Sequence, residues 1–219
     1  MSLGASTYAE GNRLSRKARA RKSALVVRRG NPRGFSVLEL SVVTVVTMVV
    51  IGTSIPTVAS VVRSYRATGD ANSISSQLVQ TRMRAAAGST RARLRFGLAA
   101  RTYQPEVFDK ATGQFQTEGA VLRLSGSNVY GFGEITAPAG TQAAIGQAEA
   151  CADANGNPIA HTACILFNSR SIPVDSTGAV TSNAAIYLTD GSGGYFSVSV
   201  SPSGRLNSQR YSSPSWETY

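Results

Sequence analysis

The length and charge of this chain set the first limits on its class. With 219 residues it is long enough for one domain with its own core and an appended segment. Its 22 Lys and Arg against 12 Asp and Glu give a formal net charge of +10, but nine of the basic residues and only one acid fall in residues 1–34. The excess charge therefore belongs to the beginning of the chain and does not indicate a nucleic-acid-binding domain as a whole.

Residue types that support catalysis are scarce. The chain has one histidine and no cluster of paired acids, and Gly191-Ser192-Gly193-Gly194-Tyr195 lacks the Lys-Ser/Thr pair of a phosphate-binding loop. We therefore expect that the protein is not an enzyme and that it holds no cofactor and no metal.

The chain begins with a basic arm that leads into an apolar run. Residues 1–34 combine clustered charge with no apolar periodicity, which predicts disorder. The run Phe35–Ile55 has 21 residues and one charge, Glu39, and a helix of that length rises ~30 Å, the thickness of the hydrocarbon layer. A basic flank favours the cytoplasmic side for this end of a membrane span. A nucleic-acid-binding tail is the alternative for the arm.

The position of Gly34 separates this run from a secretory signal peptide. A signal peptide has a shorter apolar core and small residues after it, whereas here the small residue comes before the run. The segment Gly34-Phe35-Ser36-Val37-Leu38-Glu39-Leu40 resembles the class III signal of type IV pilins and pseudopilins. Pro56 stands where helices of that family carry a helix-loosening proline.

The resemblance implies specific roles for these residues. A prepilin peptidase would cut after Gly34, so that residues 1–34 are a cleaved cytoplasmic leader, and Phe35 would become the N-methylated N-terminus. The Glu39 carboxylate of an incoming subunit would pair with the Phe35 amine of its neighbour, since an ionised acid in an apolar core needs a partner. This leader is longer than most in the family, and a start at Leu25, Val26 or Val27 stays open.

The resemblance also implies partners and a location. The partners would be other pilin or pseudopilin subunits, the prepilin peptidase and the inner-membrane assembly platform. The protein would cross the inner membrane once, with a cytoplasmic N-terminus and a periplasmic head, and would join a filament after processing.

The polarity after Pro56 predicts that the helix continues beyond the membrane. We expect one helix over residues 35–88, transmembrane in its first half and ended by Gly88. In its second half, small and apolar residues recur at three- or four-residue spacing, which predicts a buried stripe. The members of this stripe are Ala67, Ala71, Ile74, Leu78, Thr81 and Ala85.

Residues 89–219 have the alternation and turn residues of a β-rich head. The predicted strands lie in residues 91–97, 120–126, 163–169, 184–190 and 195–201, with turns at residues 109–113, 175–178, 190–194 and 201–204. Residues 136–162 predict a long surface loop. The predicted fold class is α+β, with a long N-terminal helix packed on an antiparallel β-sheet head, as in type IV pilins.

The C-terminal half resembles the GspH/FimT branch of the pseudopilins, through "CILFNSRSIPVDSTG", "AAIYLTD" and "YFSVSVSPSGRL". Some FimT-type minor pilins bind DNA during uptake through a C-terminal "GRxR" segment. Here Gly204 and Arg205 match that segment, but Arg210 comes three positions too late. Arg91, Arg93 and Arg95 share one strand face and predict either a solvated surface or a second phosphate-binding stripe.

Cys151 and Cys164 are the two cysteines of the chain. A head on the oxidising side of the membrane favours a disulfide between them. With His161 they would make an incomplete zinc site. Asp153–Pro158 resembles the start of a calcium loop but lacks its later ligands, which favours a polar turn.

Three functions follow from these patterns. The first is a minor pseudopilin or pilin subunit of a type II secretion pseudopilus or a type IV pilus. The second is a FimT-like minor pilin that binds DNA. The third is a membrane-anchored ectodomain with a single span that is never processed.

Overall fold

The computed structural model describes residues 34–219, with the side chains of residues 53–57 excepted. The described residues fall into two units, residues 34–46 and residues 47–219. Of the predicted leader, only Gly34 is among the described residues.

A helix of 51 residues, α1, spans Val37–Ala87. Its start is capped by Ser36, whose hydroxyl accepts a hydrogen bond from the Leu38 N–H at 3.3 Å. Within the described side chains, no helix combines the length and hydropathy that a membrane crossing requires. The predicted span Phe35–Ile55 runs into residues whose side chains lie outside the described ones.

The C-terminal end of α1 closes in a Schellman motif. The Thr90 N–H donates to the Ala85 carbonyl and the Ser89 N–H to the Ala86 carbonyl, both at 3.1 Å. Ser89 takes the left-handed conformation of this motif, with φ of 44°. The helix thus ends just before Gly88, as predicted, although the left-handed residue is the serine and not the glycine.

Eleven strands follow in the described chain, and all of their pairings are antiparallel. They are β1 Ala92–Gly97, β2 Thr102–Asp109, β3 Gln114–Thr117, β4 Leu122–Arg123, β5 Val129–Tyr130, β6 Thr162–Phe167, β7 Pro173–Val174, β8 Ala184–Thr189, β9 Tyr195–Val200, β10 Leu206–Ser212 and β11 Ser215–Thr218.

The strands form two sheets. The first sheet has the order β3-β2-β1-β6-β7, with β4 also paired to β2, and the second has the order β11-β10-β9-β8-β5. The predicted α+β class with antiparallel strands is confirmed. The head has two sheets because apolar residues alternate on strands of both, and each sheet buries one face in the same core.

The core lies between α1 and the inner faces of the two sheets. Every residue of the predicted helix stripe is buried, at 1% exposure or less. On β1, Ala92, Leu94 and Phe96 are fully buried in this core, and Arg93 and Arg95 therefore point to the outer face of the first sheet. The alanines of this stripe are fully buried, so larger side chains at these positions would overpack the core.

The long connection between β5 and β6 covers the outer faces of both sheets in turn. Its first part packs on the second sheet, where Ile135 and Ala139 join Ala185 and Tyr187 in a small separate core. Gly140 is needed there, because it has φ of 61° and a Cβ would collide with the Ser199 side chain. The second part, around Cys151, packs on the first sheet.

A buried carboxylate ties α1 to the loop before β5. Asp70 is 5% exposed, and its two oxygens accept hydrogen bonds from the Ser125 N–H and hydroxyl, each at 2.8 Å, and from the Asn128 side-chain amide at 2.6 Å. Hydrogen bonds to a charged acceptor are the stronger kind. This cluster therefore fixes where the loop lies along the helix.

We expect Asp70→Ala to destabilise the head by about 3 kcal/mol, because buried donors lose their acceptor, and to lower its Tm by roughly 6–12 °C. Thermal unfolding followed by circular dichroism measures this shift. Asp109→Ala is the matched control, since Asp109 bonds only within an exposed turn. Equal shifts for the two variants would contradict the anchoring role of Asp70.

Candidate functional site

The Gly34–Phe35 peptide bond lies in a short non-helical segment directly before α1. Phe35 is 81% exposed. Among the described residues, no atom lies within 4 Å of a Cβ added at Gly34. The described part of the chain therefore places no steric demand for a glycine at position 34.

Glu39 lies in the first turn of α1 with an exposed side chain. The N-terminal end of a helix carries partial positive charge, which favours a carboxylate there. Its neighbours Leu38 and Leu40 are 74% and 64% exposed, so the carboxylate stands on a surface that is otherwise apolar. Pro56 falls inside α1, and its side chain lies outside the described residues.

Arg91, directly before β1, and Arg93 and Arg95 on β1 have different environments. Arg93 is 6% exposed; its Nε donates to Glu106 at 2.6 Å and its Nη1 donates to the Ala152 carbonyl at 2.8 Å. Arg95 reaches the same carboxylate at 3.4 Å. Burial lowers the pKa of Arg93, and the Glu106 charge opposes that shift.

These contacts correct the expectation of a solvent-facing arginine stripe. The register pairs Arg93 with Glu106 across β1 and β2, so the stripe is partly neutralised by the neighbouring strand. Arg91 alone of the three is exposed, with its guanidinium carbon 4.2 Å from the Phe108 ring centre. Glu106 and Phe108 lie on one face of β2, but the polar residues of this strand hide its alternation in the sequence, and the pairing was therefore not predicted.

Arg205 is exposed at the turn between β9 and β10. Gly204 beside it has φ of 82°, and its carbonyl accepts a hydrogen bond from Arg82 Nη1 at 2.7 Å. A Cβ on Gly204 would come within 2.9 Å of the Ser171 carbonyl oxygen. The fold thus accounts for this glycine through the turn and its close packing.

Arg210 is exposed on β10, where it pairs with Phe196 of β9 and Glu217 of β11. It lies in the second sheet, as the turn of Arg205 does, whereas Arg91, Arg93 and Arg95 lie in the first sheet. The sequence-predicted arginines therefore belong to two sheets and not to one strand face.

Cys151 and Cys164 form a disulfide, which joins the second part of the long connection to β6. Within the described residues, no group of three His, Cys, Asp or Glu side chains could hold a metal ion. In the segment that resembles a calcium loop, the Asp153 carboxylate accepts the N–H groups of Asn155 and Asn157, each at 2.8 Å. These hydrogen bonds, that of Asn157 first, lower the Asp153 pKa and use the carboxylate for a turn.

Comparisons with known proteins found one similar solved structure. It is that of the minor pseudopilin EpsH from the Type 2 Secretion System of Vibrio cholerae, with 12% sequence identity and a TM-score of 0.43. The alignment covers 65% of this chain and 95% of that one. No protein-family model and no curated protein matches.

We expect Arg93→Ala to cost about 3 kcal/mol of unfolding free energy, because it leaves the buried Glu106 carboxylate without its main partner. Denaturant unfolding measures this, with Arg205→Ala as a matched exposed control. The double variant Arg93→Met/Glu106→Leu should recover part of the loss, since the buried carboxylate is gone and its other partner, Arg95, is partly exposed to solvent. A double variant that is less stable than Arg93→Ala would argue against this account.

Removal of the disulfide with Cys151→Ser/Cys164→Ser should cost on the order of 3 kcal/mol, from the loop entropy that the cross-link removes in the unfolded chain. The loop between the two cysteines should also become sensitive to limited proteolysis. Intact-mass analysis of the oxidised wild-type chain is the control. Two free thiols in protein from an oxidising compartment would contradict the disulfide.

Proposed function

We propose that this chain is a minor pseudopilin or pilin subunit, cleaved after Gly34 and assembled into a type II secretion pseudopilus or a type IV pilus. The observation that carries the proposal is the Gly34–Glu39 motif at the head of α1. Gly34 meets no steric demand among the described residues, and a small residue directly before an apolar helix is what a processing peptidase would recognise. A prepilin peptidase is the enzyme that the motif fits.

The apolar side chains at the start of α1 support a membrane-anchored precursor. Leu38, Leu40 and Met48 are between 64% and 74% exposed, and a helix with such a surface needs lipid or other apolar helices around it. The basic residues before Phe35 favour the cytoplasmic side for this end. The head would then be periplasmic, and a disulfide between Cys151 and Cys164 suits that oxidising compartment.

Assembly would follow from charge pairing between subunits. Cleavage creates a free α-amino group on Phe35, and Glu39 supplies a carboxylate four residues later. Both charges would be costly in an apolar filament core unless they pair. A Glu39 carboxylate of one subunit that binds the Phe35 amine of its neighbour satisfies both and sets the axial position of the incoming subunit.

We expect Glu39→Ala to be cleaved normally but to fall at least tenfold in the sheared filament fraction, because the neighbour's amine loses its partner. The test expresses the full chain in cells that contain a prepilin peptidase and an assembly platform. Mass spectrometry identifies an N-methylated Phe35, and immunoblotting quantifies the filament fraction. Glu217→Ala is the control, as Glu217 is an exposed acid of the head.

Each outcome separates the alternatives. Normal incorporation of Glu39→Ala would refute the pairing, and a wild-type chain that is never cut after Gly34 would favour the unprocessed ectodomain. Binding of duplex DNA that weakens steeply with salt and is lost in Arg205→Ala/Arg210→Ala would favour DNA capture. Arg93 is unavailable for that alternative, because it is buried against Glu106.

A further inference from the structure

A cleft of about 400 Å³ opens on the outer face of the first sheet. One wall is formed by side chains of β1, β2 and β3, and the other by the segment from residue 149 to 156 and by residues that follow β6. The Cys151–Cys164 disulfide lines it and holds the second wall against the sheet. Its volume is in the range of pockets that hold small ligands or a few residues of peptide.

The first wall presents a guanidinium that is held in place but not neutralised. Arg91 stacks on Phe108 at 4.2 Å and lies 5.9 Å from the ring centre of Phe115. Its carbonyl is fixed by the Phe108 N–H at 2.8 Å. Among the described residues, Arg91 has no hydrogen bond or ion pair through its guanidinium. Stacking uses the face of the group and leaves the N–H donors at its edge available.

Arg93 acts as a positioning residue for this wall. Its guanidinium lies 3.9 Å from the Phe115 ring centre and is itself fixed by Glu106 and by the Ala152 carbonyl. Arg93 therefore contacts β2 through Glu106, β3 through Phe115 and the opposite wall of the cleft through Ala152. The positions of the aromatic rings, and through them that of Arg91, depend on this buried ion pair.

The second wall presents one available carboxylate. Asp153 and Asp175 also line the cleft, but each accepts several hydrogen bonds from its own turn. Glu149 is exposed and makes one long contact, with the Ser176 N–H at 3.4 Å. The Glu149 carbonyl accepts the Cys164 N–H at 2.8 Å, so its backbone is fixed beside β6.

We propose that this cleft binds a short peptide segment of a partner protein that carries one carboxylate and one cationic group. The ligand carboxylate pairs with Arg91, and the ligand ammonium or guanidinium pairs with Glu149. Between them, Phe108, Phe115 and small residues such as Ala150 form an apolar lining for the segment. Three carboxylates in the lining repel a polyanion, which distinguishes this ligand from a nucleic acid.

The test uses the full-length chain in detergent and ligand-observed NMR titration of capped peptides. The probes are Asp-(Gly)n-Lys and Lys-(Gly)n-Asp with n from 1 to 4, and Asn-(Gly)n-Gln as the uncharged counterparts. We expect at least one charged probe to bind tenfold or more tightly than its uncharged counterpart, and this preference to decline with added salt.

Four single variants assign the contacts. Arg91→Gln and Glu149→Gln should each abolish the preference for the charged probe, whereas Arg205→Gln and Glu217→Gln, which are exposed outside the cleft, should retain it. The swapped variant Arg91→Glu/Glu149→Arg should bind, and should prefer the reverse order of charges. Thermal unfolding and intact mass establish that each variant is folded and disulfide-bonded.

Several results would overturn the proposal. The first is that the wild-type chain binds none of the probes, and the second is that it binds charged and uncharged probes equally. The third is that the Arg91→Gln variant binds the charged probe as tightly as the wild type does. Displacement of the peptide by duplex DNA, in a manner that requires Arg91, would assign the cleft to a polyanion instead. None of these measurements requires cleavage after Gly34 or a filament, so the cleft and the proposed function stand or fall separately.

Discussion

The burial of a narrow, small-residue stripe of α1 against two sheets is the constraint on which the head depends. Ala67, Ala71, Ile74 and Leu78 are fully buried in the core that α1 shares with both sheets. A larger side chain at either alanine would overpack this core. Asp70 lies beside this stripe and adds a fixed polar contact to the loop before β5.

Because both sheets use their inner faces for this core, their outer faces need separate cover. The connection between β5 and β6 covers both outer faces. On the second sheet it forms a small apolar cluster around Tyr187, and on the first sheet it forms polar contacts around Arg93. The apolar cluster is closely packed, whereas the polar region contains a cleft with charged residues on both walls.

The start of α1 has the opposite character to the head. Its apolar side chains are exposed, and among the described residues Gly34 meets no steric demand. Under the proposed function, this motif would be recognised first by a peptidase and then by neighbouring subunits. One chain would thus combine a segment that serves assembly with a head that carries its own recognition surface.

Much of this organisation was readable from the sequence, and the reason is periodicity. The helix stripe, its end near Gly88, the four strands in residues 91–97, 163–169, 184–190 and 195–201 and their turns all follow from local patterns. Residues 120–126 contain only the short β4, because Val121 faces solvent and the segment lacks a strand partner along most of its length. Strands β2 and β10 were missed since their polar residues hide the alternation.

The sequence by itself determined the apolar run, the motif at Gly34, the α+β class and the presence of two cysteines and a row of arginines. Only the tertiary structure decided that there are two sheets, that Arg93 is buried against Glu106 while Arg91 has no ion pair among the described residues, and that Glu149 lines the same cleft as Arg91. The physical reason is that these outcomes rest on contacts between residues far apart in the chain. The register of β1 on β2, and the path of the connection across the first sheet, settle which charges meet.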